Sequence, residues 1–253
     1  MTNKVEIIEV GSPNVSETGF FCYMSKRKSE GFRRKLDWVM ARFNEGMRIK
    51  MLKLPERGFI EYLPGEYAWR AVNAAKGYMS IHCLWVVGKS KGKGFGAALL
   101  NECIRDAKKA GMAGVAMVTS EGTWLAGKQL LLKHGFRAVA EAPPSFTLMV
   151  NTFETAPLPS FSRDWEARAK RFGKGLTVLR SDQCPYLEDA TNALLEAAAE
   201  KGIKSRVVEL KTAAEANSLS PSPYGVFNVV LDGRFLSYRY LLKEEFLQML
   251  ERK

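Results

Sequence analysis

The stretch from Leu84 to Leu100, LWVVGKSKGKGFGAALL, restricts this chain more than any other. An apolar run passes directly into a turn with glycine at every second position, and the turn passes into an amphipathic segment. A strand–glycine turn–helix junction directs several backbone N–H groups outward at the helix start, where the macrodipole adds positive potential. Gly92, Gly94 and Gly96 let the backbone come close to a ligand that side chains would hold off. Lys89, Lys91 and Lys93 place cationic charge around it. The pattern describes a phosphate cradle.

Two common phosphate loops do not fit. The Walker loop needs a glycine four intervening residues before Gly-Lys-Ser/Thr. Gly88-Lys89-Ser90 supplies its end, but Cys83 stands where its first glycine belongs. The dinucleotide fingerprint fails because Gly92-x-Gly94 is followed by Gly96 one residue too soon, and no βαβ signals precede it.

Bulk properties narrow the class. The chain has 253 residues, enough for one large core or two modest ones. No apolar run approaches the ~20 residues of a membrane span, and the first residues do not read as an export signal. A cytoplasmic, non-membrane protein is expected. Cys22, Cys83, Cys103 and Cys184 form neither a disulfide framework nor a zinc pattern. With only His82 and His134 as histidines, no metal site is expected. The net charge is +11. Residues 1–152 hold 23 basic and 13 acidic side chains, a net of +10, and residues 153–253 hold 15 and 14, a net of +1. This asymmetry predicts two parts with different tasks. No nucleic-acid-binding module is recognisable, and a ligand with three phosphates is a sufficient partner for much of the charge.

Periodicity predicts a strand at 5–10 and a helix at 26–47 carrying Phe32, Leu36, Val39, Met40 and Phe43. Strands follow at 48–54, 59–63 and 78–87, then a helix at 95–110 and a strand at 115–118. A helix at 124–134, capped by Thr123 and closed by Gly135, precedes strands at 137–141 and 146–150.

Lys91-Gly92-Lys93-Gly94-Phe95-Gly96 resembles the R/Q-x-x-G-x-G/A pyrophosphate loop of the GNAT acyltransferases. Ile81-x-x-Leu84-x-Val86 before it, the ending Lys133-His134-Gly135-Phe136 and the order of elements extend the resemblance over residues 4–152. It implies an α/β (α+β) GNAT fold and transfer of an acetyl group from acetyl-CoA to a primary amine by direct attack on the thioester. The acceptor is a small molecule or a protein. The backbone of Gly92, Lys93, Gly94, Phe95, Gly96 and Ala97 would hold the pyrophosphate, with Lys91 heading the loop. The exposed backbone of Trp85, Val86 and Val87 would pair with the pantetheine amides. In the family this strand splays from its neighbour, here 115–118, and the thioester enters the gap.

Lys91 replaces the usual Arg or Gln. Leu131 stands where many members carry the tyrosine that protonates the CoA sulfur, with Tyr67 and Tyr78 as substitutes to be located. His82 is the expected base, because the run around it resembles the serotonin N-acetyltransferase branch of the family; Glu61 and Glu66 are the alternatives. Glu61, Tyr62, Glu66, Tyr67, Trp69 and Arg70 are expected to wall the acceptor site. His134 is given no catalytic part. Folds of this kind often pair along exposed strand edges, so a homodimer is a further expectation.

Residues 153–175 have linker composition, with Pro157, Pro159, Gly173 and Gly175, and room for one helical segment in the charged run 163–171. Residues 176–253 then read as strand 176–180, helix 187–201, strands 205–210, 227–231 and 235–238, and helix 243–251, with Asp232-Gly233 as the hairpin turn. That order is similar to a small thioredoxin-like β-α-β-β-β-α domain. Gln183-Cys184-Pro185-Tyr186-Leu187 resembles a glutaredoxin-type motif in which Leu187 replaces the second cysteine. Pro221-Ser222-Pro223 falls about where such folds place a cis-proline. The arrangement as a whole resembles bacterial acetyltransferases with a YoaP-like C-terminal domain. The competing functional readings are an acyl-CoA-binding or sensing protein without catalysis, and a monothiol protein acting through Cys184.

Overall fold

The computed structural model describes residues 5–122 and 124–251 and groups them into two compact units. The first comprises residues 5–24, Leu36–Ala68 and Val72–Phe161; the second comprises Ser25–Lys35, Trp69–Ala71 and the residues from Ser162 onward. Neither unit is continuous in sequence.

The first unit is built on strands β1 (Ile7–Val10), β2 (Arg48–Leu52), β3 (Gly58–Pro64), β4 (Val72–Asn73), β5 (Tyr78–Val86), β6 (Gly114–Ser120), β7 (Arg137–Ala142), β8 (Phe146–Thr152) and β9 (Ser160–Phe161). Seven of them form one sheet in the order β1-β2-β3-β5-β6-β8-β7, and β4 pairs separately with β9. β5 and β6 are parallel, and the other neighbours in the large sheet are antiparallel. A short helix α1 (Val15–Thr18) follows β1, and α2 (Glu30–Phe43) is shared, its residues to Lys35 belonging to the second unit and its remainder to the first.

Helix α3 (Phe95–Lys109) buries Phe95, Leu99, Leu100, Cys103 and Ala107 against the sheet, the one-sided stripe read from its sequence. Its polar contacts are also internal. Asp106 accepts from Tyr62 Oη at 2.5 Å and lies 2.9 Å from Lys50 Nζ and 3.1 Å from Arg48. Burial alone would raise the Asp106 carboxyl. The Tyr62 and Lys50 hydrogen bonds and the Lys50 and Arg48 charges outweigh it and hold the group below the ordinary carboxylate value. Burial, then the bond to Asp106, pushes the Tyr62 phenol up.

Three expectations need correction here. The helix expected at 26–47 spans only Glu30–Phe43, and its buried stripe uses Lys35 and Trp38 while Met40 is exposed. The helix expected at 124–134 is only α4 (Lys128–Leu132). Trp124 has φ +82°, and Gly127 is extended at ψ 154°, so no helix can run through them. Thr123, the expected cap, lies outside the described residues. The Gly135 terminus does hold: at φ +79° it lets Phe136 N donate back to Leu131 O. His134 Nδ1–H donates to Leu130 O at 2.8 Å, a purely local role.

The second unit contains α5 (Trp165–Lys170), β10 (Leu176–Arg180), α6 (Tyr186–Glu200), β11 (Ser205–Glu209), α7 (Ala213–Leu219), β12 (Phe227–Leu231), β13 (Arg234–Ser237) and α8 (Lys243–Glu251). Its sheet runs β11-β10-β12-β13, with only β10 and β11 parallel. The stretch with linker composition is therefore partly ordered as β9 and α5, and α7 was not apparent in the apolar pattern. Arg180, buried beneath α6, donates to Glu188 at 2.6 Å and Asp182 at 3.0 Å, and Arg34 donates to the same Asp182 at 2.8 Å. Both peptide bonds at Pro221 and Pro223 are trans; the cis bonds are Leu54–Pro55 and Pro143–Pro144. At the Pro223 turn Ala71 N donates to Pro223 O, and Arg70 donates to Tyr224 O at 2.9 Å. Gly225 has φ +77°, and a Cβ there would fall 2.5 Å from Trp69 O, so the turn admits only glycine.

Candidate acyl-transfer site

The cradle takes the form its glycines predict. A single 3₁₀ turn, Gly88–Ser90, leaves β5, and α3 begins at Phe95 with Gly94 as its N-cap. Gly92 and Gly94 stand at φ +77° and +80°, and a Cβ at either would project into open space. No side chain caps the helix, and its first turn carries no acidic residue. The first-turn N–H groups therefore point at solvent with the positive end of the macrodipole behind them. Gly96 differs, since a Cβ there would meet Leu130 at 3.2 Å, so its smallness serves packing.

The cradle is fastened from beneath. Ser90 is buried and donates to Glu56 Oε2 at 2.6 Å, while Arg57 N donates to Ser90 Oγ at 2.9 Å. Lys93 Nζ reaches the other Glu56 oxygen at 2.9 Å. The Ser90 bond, then the Lys93 bond, lowers the Glu56 carboxyl from its ordinary value. One of the three expected cradle lysines is thus engaged with Glu56, and Lys91 is exposed.

Beside the cradle the sheet opens. β5 pairs with β3 along its length, as far as Gly58 with Val86. Its parallel pairing with β6 ends at Ile81 with Met117, although β5 continues to Val86 and β6 to Ser120. Residues 82–86 therefore present a row of backbone groups to an open edge. A cavity of about 500 Å³ occupies this gap. It is lined by residues 82–86 of β5, by Met117 of β6, by residues 124–127 and by Lys91. The rings of Trp85 and Trp124 meet edge-on at 6.4 Å. This is the size and mixed lining of a small-ligand site.

His82 reaches the cavity through an irregularity in β5. Glu61 faces Cys83 across the β3–β5 ladder and Tyr62 faces Ile81, so His82 is an extra residue in a bulge. The imidazole is 1% exposed, with Nδ1 3.7 Å from the equally buried Glu61 Oε1. At that distance Glu61 is an electrostatic partner rather than a hydrogen-bond acceptor. A proton taken up by His82 would leave an imidazolium 3.7 Å from a carboxylate oxygen. His82 and Glu61, two alternatives in the sequence, are one constellation in the fold.

The remaining expectations scatter. Glu66 and Tyr67 are exposed on the 3₁₀ turn Gly65–Tyr67 and do not line the cavity. Tyr62 is turned to Asp106, and Trp69 and Arg70 belong to the second unit. Tyr78 begins β5, and its buried hydroxyl, pushed up by burial and flanked by Arg137 and Glu154, lies outside the cavity lining. Leu131 is fully buried in the core against α3. Cys83 was missed. The signal lay in its position one residue after His82, but strict alternation would have turned it away. Among the described residues no group of acidic, histidine and cysteine side chains could hold a metal ion, and no helix is long and apolar enough to cross a membrane.

No family model matches the chain. The "uncharacterized N-acetyltransferase YoaP" of Bacillus subtilis (strain 168) is 32% identical to it over 247 residues, covering 96% of this chain and 97% of that one. Among solved structures, yncA of Salmonella typhimurium with its cofactor acetyl-CoA overlaps 61% of this chain and 96% of its own at 16% identity and a TM-score of 0.46. The ribosomal-protein-alanine N-acetyltransferase of Brucella melitensis overlaps 58% of this chain and 99% of its own, at 14% identity and a TM-score of 0.45.

Proposed function

Because the chain belongs to the N-acetyltransferase family that contains YoaP, we propose that it transfers an acetyl group from acetyl-CoA to a primary amine by direct attack on the thioester. The observation that carries this reading is the parting of β5 from β6 after Ile81, with a cavity in the gap and an uncapped helix start beside it. In this GNAT arrangement the N–H groups around Gly92 to Ala97 take the pyrophosphate, and the open edge at Trp85 to Val87 takes the pantetheine amides. The open space around Gly92 and Gly94 fits such a ligand, since a Cβ at either would fill it.

The thioester then lies beside His82. An incoming ammonium must lose a proton before its nitrogen can attack, and His82 takes it, with Glu61 stabilising the resulting charge. Residues 1–152 supply this chemistry. The second part, from 176 onward, we read as a thioredoxin-like module of the YoaP type; its strand order supports that reading, with two parallel strands, two antiparallel ones and Cys184 immediately before α6.

The test is calorimetric titration of acetyl-CoA, with ATP as a control for non-specific phosphate binding, followed by CoA release over a panel of amines. Micromolar binding of acetyl-CoA but not ATP, with amine-dependent release, is expected. Equal binding of both, or none, would mean that the cradle is not a CoA site.

A further inference from the structure

Leu131 leaves the reaction without the hydroxyl that would protonate the departing sulfur, and no tyrosine is among the described residues that line the cavity. Tyr67 is exposed on its turn and Tyr78 sits at the far end of β5 beside Arg137 and Glu154. Resting on the acetyl-transfer reading above, we infer that Cys83 is the proton donor to the CoA thiolate, placed in the cavity beside the base by the bulge at His82.

The geometry is a consequence of the ladder. In a regular strand consecutive side chains point to opposite faces, so His82 and Cys83 could not share a wall. The pairs Glu61–Cys83 and Tyr62–Ile81 leave His82 as an inserted residue, and at such a bulge the alternation breaks. Both residues line the cavity, His82 with its side chain buried and Cys83 partly accessible. Both also lie beyond the last β5–β6 pair, Ile81–Met117, where the two strands have separated. Among the described residues that line the cavity, those bearing an exchangeable side-chain proton besides His82 are Cys83, Trp85, Lys91 and Trp124. Lys91 belongs to the exposed cradle, facing phosphate, and an indole is too weak an acid. Cys83 is in no disulfide and is partly accessible.

The proton balance closes within the site. The amine nitrogen forms its bond to the thioester carbonyl carbon and passes a proton to His82. The carbon–sulfur bond breaks, its electron pair leaves on sulfur, and that sulfur takes the Cys83 proton to become the CoA thiol. The imidazolium then returns its proton to the Cys83 thiolate next to it, and both side chains are restored. The net reaction is thioester plus amine to amide plus thiol, with no other reagent. Transfer between two thiols is between groups of like acidity, where general acid catalysis is effective. Among the described residues that line the cavity or face Cys83 across the β3–β5 ladder, the charged and titratable groups are His82, Glu61 and Lys91. The β6 side and residues 124–127 contribute none.

The experiment compares wild type, Cys83→Ala and Cys83→Ser in acetyl-CoA affinity, in kcat against pH, and in intact mass after incubation with acetyl-CoA alone. Expected are an unchanged Kd, a fall in kcat of about tenfold to a hundredfold for the alanine variant, and partial recovery with serine. The alkaline limb of the wild-type profile should vanish in the alanine variant. Thermal melting establishes that both variants fold, and the serine variant remains a test if the alanine one does not. A kcat within twofold of wild type in a folded Cys83→Ala protein would overturn the donor role. So would an acetyl adduct on Cys83, because the thiol would then be attacking the thioester rather than protonating its leaving group. A wild-type protein that binds acetyl-CoA yet transfers to no amine would remove the transfer reading, and this inference with it.

Discussion

Gly94→Ala isolates what the cradle does. Gly94 is the N-cap of α3 at φ +80°, and its built Cβ meets nothing within 4 Å. In the protein without ligand the cost is therefore backbone strain alone. A left-handed non-glycine residue costs roughly 1–2 kcal/mol, and the stiffer unfolded chain returns about 0.4–1 kcal/mol. A net loss of about 1 kcal/mol corresponds to a fall in Tm of roughly 2–4 °C for a unit of this size. With acetyl-CoA present the same methyl occupies space where phosphate oxygens would approach the first-turn N–H groups. Displacing one or two hydrogen bonds to a charged group costs roughly 1.5–3 kcal/mol each, so affinity should fall by at least about tenfold. Gly77→Ala is the matched control, since Gly77 has φ +88°, its Cβ also meets nothing, and it precedes β5 at the end remote from the cradle. Differential scanning fluorimetry should give similar Tm shifts for the two variants, and calorimetry should show weakened acetyl-CoA binding for Gly94→Ala alone. Equal affinities in both variants would refute the argument that the open space at Gly94 is where the pyrophosphate sits.

His82→Ala should lower kcat by about a hundredfold or more while leaving the acetyl-CoA Kd within about threefold, because His82 lies at the cavity and outside the cradle; steady-state kinetics beside calorimetry check this. Asp106→Asn should destabilise the protein by roughly 1–3 kcal/mol near neutral pH in urea unfolding, since buried Lys50 loses one of its two carboxylates and keeps only Glu102 at 2.8 Å. The Asp106 carboxyl is lowered in the fold, so its stabilisation is fully present above the ordinary carboxylate value and is lost as pH falls through the depressed one. The gap between wild type and Asp106→Asn should therefore close in acid, and a gap independent of pH would refute the charge argument. Leu131→Tyr should not rescue a Cys83→Ala protein, because Leu131 is fully buried and the larger ring overpacks the core by about 1–3 kcal/mol; a melting curve and a rate measurement on the double variant decide it.

The cradle was legible because everything that makes it is local. An apolar strand, glycines two residues apart and an amphipathic helix are contiguous, and their conformations follow from backbone sterics and from the 3.6-residue repeat. The same holds for the Gly135 helix terminus and for the strands of both units, whose residues alternate or run apolar within one short window. The failures also have local causes that the apolar pattern hides. Trp124 in the left-handed region ends what looked like one long helix, and nothing in the spacing of Leu125, Leu130 and Leu131 announces it.

What only the tertiary structure decided is which distant residues meet. Glu61 and His82 were separate candidates twenty-one positions apart, and the β3–β5 register makes them one buried pair. Tyr62, a neighbour of Glu61 in sequence, is committed to Asp106, and Arg70 is committed to Tyr224, 154 residues away. The bulge that inserts His82 beside Cys83 is a property of the pairing of two strands, and no single strand encodes it. A sequence specifies its own dihedral preferences and periodicities within a few residues. Register, the point where β5 leaves β6, and the side chains brought to that gap are set by the best joint burial of segments far apart in the chain.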